Sequence, residues 1–82
     1  MRKNFKKLIS SQDVIHQFGI TYPTLNHYTN LGFLRVVAKR GNKRFYQEIE
    51  VKMKLDEVTK LKNEGYPLGL IKKKFEKEKY NS

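Results

Sequence analysis

Tyr22, Thr24, Asn26, His27 and Asn30 fall within nine residues and are nearly all hydrogen-bonding side chains of moderate length. Shortly after them, Lys39, Arg40, Lys43 and Arg44 place four cations in six positions. The first group can donate and accept hydrogen bonds at defined angles, and the second can neutralise a row of anionic groups. A polyanion that carries hydrogen-bonding edges between its charges answers to both. Other chemistry lacks its parts. His16 and His27 stand eleven residues apart, and the chain has no cysteine, no carboxylate pair at the spacing of a metal or general-acid site, and no glycine-rich phosphate loop. Catalysis, a metal centre and a bound cofactor are therefore not expected.

Two short helices must position the first group. Ser10 or Ser11 can cap the first, with Asp13 three residues after Ser10 acting as a capping-box acid one methylene shorter than usual. Val14, Ile15 and Phe18 share one face, and Gly19 follows where a helix end favours positive φ. Ile20 re-enters the core across the turn. Thr21 then caps a second helix with Pro23 in its first turn, Leu25 and one side of Tyr28 facing inward, and Gly32 closing it.

The cations sit on a hairpin. Phe33–Ala38 is rich in β-formers, Lys39-Arg40-Gly41-Asn42 supplies a turn, and Lys43-Arg44-Phe45-Tyr46 alternates basic and aromatic residues. Beyond it Val51, Leu55, Val58 and Leu61 mark an amphipathic helix over Gln47–Asn63, with Ile49 and Met53 widening its stripe. Pro67 opens a last helix carrying Leu68, Ile71 and Phe75 on one side; after Phe75 it becomes mostly charged and is expected to fray. The reading is a mostly α protein with a small β-hairpin: a winged helix-turn-helix of about four helices plus a two-stranded wing. Residues 1–8 form a basic N-terminal arm, 9–76 the domain and 77–82 a charged tail.

Charge agrees with this arrangement. The chain of 82 residues has a formal net charge of +10, and residues 1–46 carry nine Lys or Arg against the single acid Asp13, whereas 47–82 carry nine against seven. A polyanionic partner is favoured through Coulomb attraction and counterion release, and the excess lies on the half that holds the paired helices. Five cations in ten positions, counting Arg35, exceed what a hairpin edge needs for solubility. The apolar runs are too short to span a bilayer, and the start of the chain lacks the apolar stretch of a signal peptide, which makes a cytoplasmic protein the expectation.

With these elements placed, the sequence resembles the DNA-binding domain of the MerR superfamily, including its small excisionase-like members. The resemblance rests on Ile9-Ser10-Ser11-Gln12-Asp13-Val14 before Phe18-Gly19-Ile20, Thr24-Leu25-Asn26-His27-Tyr28, Gly32-Phe33-Leu34, Gly41-Asn42-Lys43-Arg44-Phe45-Tyr46, and Gly65-Tyr66-Pro67-Leu68 followed by Ile71. It implies a second helix in the major groove and a wing on the adjacent backbone or minor groove. Thr24, Asn26, His27 and Tyr28 then take recognition-helix positions, and Arg44 and Tyr46 match the wing's Arg and Tyr that support phosphate contacts. Asn26 stands where many members carry Arg. The long dimerisation helix and sensor domain of the larger members are not expected.

Each site residue has a plainer alternative. Tyr28 divides between core packing and phosphate contact, Tyr22 between DNA contact and packing beside the cap, and His27 between DNA contact and an ordinary surface histidine. The implied function is sequence-specific binding of double-stranded DNA, as a transcriptional regulator or as a DNA-shaping accessory factor in excision, conjugative transfer or partition. Self-association on DNA and a recombinase, relaxase or RNA polymerase partner are left open; a membrane partner is not expected. The competing readings are RNA binding and a protein-interaction module in which Gln47–Phe75 docks a partner through residues such as Tyr66 and Leu70.

Overall fold

The computed structural model describes residues 7–81, with side chains through Glu78. The elements run β1 (Leu8–Ser10), α1 (Ser11–Phe18), α2 (Tyr22–Asn30), β2 (Val36–Arg40), β3 (Lys43–Gln47), α3 (Glu48–Asn63) and α4 (Leu68–Asn81). Arg2, Lys3 and Lys6 of the expected arm lie outside the described residues.

Local chemistry sets the helix ends. Ser10 caps α1 by accepting from the Asp13 amide at 3.2 Å while Asp13 Oδ2 accepts from the Ser10 amide at 3.1 Å, a reciprocal box that the shorter acid completes. Thr21 caps α2 by accepting from the Thr24 amide, with Pro23 in the first turn. At the other end of α2 the Phe33 amide donates to Tyr28 O at 2.9 Å and the Gly32 amide to Thr29 O at 3.1 Å. Gly32 takes φ 87°, which permits this double closure, and the Tyr28 and Phe33 rings meet across it at 5.5 Å.

That turn explains a departure from the sequence reading. Phe33 and Leu34, expected to start a strand, instead plug the core from the α2–β2 connection at 2% and 1% exposure, and the strand begins only at Val36. Lys39 and Arg40 are strand residues rather than turn residues, because Arg40 pairs directly with Lys43 and leaves only Gly41 and Asn42 to reverse the chain. Gly41 has φ 60° while Asn42 does not enter positive φ, the combination of signs found in type II′ hairpins.

The sheet has three strands, not two. β1 pairs antiparallel with β3 through Ile9 and Tyr46, giving the order β1-β3-β2. Leu8–Ser10 is too short to announce itself as a strand. Its pairing buries Ile9 and attaches the start of α1 to the wing.

The core gathers Ile9, Val14, Leu25, Tyr28, Phe33, Leu34, Tyr46, Val51, Leu55, Val58, Leu61 and Ile71. The α3 positions spaced by three and four are those expected, except that Met53 is 63% exposed, on the side of α3 opposite Val51 and Leu55. α4 joins through an aromatic chain: Phe75 meets Phe33 edge-on at 5.1 Å, and Lys54 Nζ lies 4.4 Å from the Phe75 ring centre. Phe75 anchors α4, which runs Leu68–Asn81 with Lys72 paired to Glu76 at 3.6 Å.

Leu25 and Met53 thus provide a contrast. Leu25→Ala is expected to lower the unfolding free energy by about 2–5 kcal/mol, and Met53→Ala to change it by less than about 0.5 kcal/mol, as measured by urea denaturation.

Candidate nucleic-acid interface

α2 presents one open face. Tyr22, Asn26 and Asn30 form a row at four-residue steps, with His27 beside it. Tyr22, His27 and Asn30 are exposed and Asn26 is half-buried. The opposite flank holds Thr24 and Tyr28. These two line a groove of about 450 Å³ with Phe18, Ile20 and Thr21 on one side and Leu55, Asp56, Thr59 and Lys62 of α3 on the other. The α2 residues singled out in the sequence are therefore divided between two surfaces.

Thr24 is partly committed. Its hydroxyl accepts from the Thr21 hydroxyl at 2.9 Å, which leaves the Thr24 hydroxyl proton available to a further acceptor. Tyr28 is 8% exposed, its ring held between Phe33 at 5.5 Å and His27 at 6.3 Å. Of its two readings from sequence, core packing is the one its burial supports.

The wing has two faces as well. Directly paired residues of an antiparallel ladder share a face, and neighbours along a strand alternate. Lys39 and Arg44 are paired and point to the side occupied by α2, whereas Arg40 and Lys43 are paired at the tip and point the other way. Lys39, Arg40 and Lys43 are exposed, and none of the ion pairs among the described residues involves them. Arg35 is different: Nη2 donates to Glu50 Oε2 at 3.0 Å, so the cation nearest the wing's base is neutralised by the first turn of α3.

Two side-chain bridges bind α2 to β3. Arg44 Nη1 donates to Asn26 Oδ1 at 3.4 Å. One helical turn further on, the Thr29 hydroxyl donates to Leu25 O at 2.7 Å and lies 3.0 Å from the Tyr46 hydroxyl, which therefore serves as donor to it. Tyr46, expected from the resemblance to support phosphate contacts, has 0% exposure. Tyr46 shares the inner face of β3 with Arg44 and, opposite Ile9 and Val36, enters the core, where Thr29 meets its hydroxyl. Thr29 is the residue of this bridge that polarity and charge alone do not mark. A threonine three residues after an outward asparagine and four after a core leucine was the available signal.

Away from this surface, Tyr66 and Leu70 are 41% and 52% exposed. No helix among the described residues is long and apolar enough to cross a membrane.

An outward helix face bridged to a basic hairpin, on a scaffold of paired short helices, defines a winged helix-turn-helix domain. The chain belongs to the MerR family: the family model described as MerR HTH family regulatory protein matches residues 9–78. Membership makes it a DNA-binding regulatory domain whose partner is double-stranded DNA. Comparison with curated proteins and with solved structures finds no match.

The Thr29–Tyr46 bridge can be tested alone. Tyr46→Phe is expected to lower stability by about 0.5–1.5 kcal/mol in urea denaturation, since it removes one hydrogen bond and no ring packing. Tyr22→Ala, on the open face, is expected to change stability by less than about 0.5 kcal/mol.

Proposed function

We propose that this protein regulates transcription by binding specific double-stranded DNA sites. The face Tyr22, Asn26, His27 and Asn30 enters the major groove, while Lys39, Arg40 and Lys43 of the wing reach the flanking backbone or minor groove. The observation that carries this reading is the Arg44–Asn26 hydrogen bond, because it makes the polar helix face and the cationic hairpin one continuous surface. A major groove about 12 Å wide admits a helix of this kind. Thr24, on the opposite flank of α2 beside α3, lies outside that face. Tyr28 and Tyr46 act from within, as packing that holds the surface in shape. Among the uses raised by the sequence, regulation is the one that family membership supports.

The direct test is selection of bound duplexes from a random pool at physiological salt, followed by titration of the enriched sequences. Enrichment of a defined motif is expected. Weak salt-sensitive binding with no enrichment would overturn the reading. Within that assay the two element types should differ in kind: Lys43→Ala weakens binding to all duplexes alike and lowers the salt slope by about one, whereas His27→Ala alters preference at one or two base pairs by roughly 1–3 kcal/mol.

A further inference from the structure

We propose that Arg44 is a positioning residue that sets which base Asn26 reads, by holding the asparagine amide with its donors outward. The inference rests on the reading that α2 enters the major groove, and it concerns the chemistry of one contact there.

A guanidinium group has donors only. The Asn26 atom facing Arg44 Nη1 at 3.4 Å must therefore be the amide oxygen, which removes the usual ambiguity between amide oxygen and nitrogen. The Nδ2 group points the other way, from a side chain that stands in the open row between Tyr22 and Asn30. The bond is not left to two free side chains. Both are half-buried, and the Thr29–Tyr46 contact one turn along α2 and two residues along β3 keeps helix and strand in register.

An asparagine that reads adenine needs both ends of its amide: the oxygen accepts from N6 and the nitrogen donates to N7. Here the guanidinium stands in front of the oxygen, and its positive charge opposes the approach of a second donor such as the adenine amino group. The oxygen keeps a second lone pair, but the adjacent guanidinium disfavours its use by another donor, and donation from Nδ2 becomes the stronger contact. That matches edges that offer acceptors: N7 and O6 of guanine or O4 of thymine. Arg44 thus acts through Asn26, without touching the base itself.

The experiment is duplex selection with the full chain and with Arg44→Met, Arg44→Lys and Asn26→Ala. Arg44→Met keeps an unbranched stem for packing and removes every donor; Arg44→Lys retains a donor and the charge. The native chain is expected to favour guanine or thymine at the one position whose preference Asn26→Ala abolishes. Arg44→Met should shift that position toward adenine by about tenfold, and Arg44→Lys should leave it unchanged. A uniform loss of affinity in Arg44→Met and Arg44→Lys with no shift at any position would overturn the proposal, as would a native preference for adenine at the Asn26-dependent position. Absence of any enriched sequence for the native chain would instead overturn the groove reading on which the proposal stands.

Discussion

Two polar bridges between one helix and one strand, Arg44 to Asn26 and Tyr46 to Thr29, govern the geometry of the whole interface. Directional contacts help set how this helix sits against the hairpin, and Tyr46 supplies the buried one. Its ring is buried without remainder and its hydroxyl has a partner, a combination that fixes both depth and direction. With that anchor in place, the Arg44 guanidinium comes within 3.4 Å of Asn26 Oδ1.

The distribution of charge follows from the same arrangement. Glu48 and Glu50 begin α3 directly below the sheet, where they meet Lys7 at 3.8 Å and Arg35 at 3.0 Å. Glu48 also accepts from Gln17 at 2.8 Å, which ties α1 to α3. As surface pairs these contribute only about 0–1 kcal/mol each to stability. Their larger effect is on the field: cations at the base of the hairpin are neutralised, while Lys39, Arg40 and Lys43 are left to act on a polyanion. Helix-start acids, usually read as a response to the helix dipole, here also sharpen the charge of the wing toward its tip.

Stability in a domain this small depends on joining its parts, since a dozen buried side chains are spread over all four helices and the sheet. The aromatic sequence Tyr28, Phe33, Phe75, capped by Lys54, runs from the helix that carries the polar face to the last helix of the chain. α4 is thereby coupled to α2 through ring contacts, and Phe33 serves both the end of α2 and the seat of α4.

What could be read from the sequence was whatever is decided within one turn or one hairpin. Ser10 with Asp13, Thr21 with Pro23, Gly32, and Gly41 each act on neighbours a few residues away, and so helix ends and the hairpin reversal were legible. The apolar periodicity of α3 was legible for the same reason, because it is a property of helical geometry alone. Tertiary structure decided which side of each element met a partner. It buried Tyr46 and Tyr28, turned Thr24 toward α3, paired Arg35 with Glu50, left Met53 in solvent and added Leu8–Ser10 to the sheet. Most of these outcomes depend on a neighbour distant in the chain. A side chain's type states what bonds it can make, but burial and pairing are settled by the surface that folding brings against it.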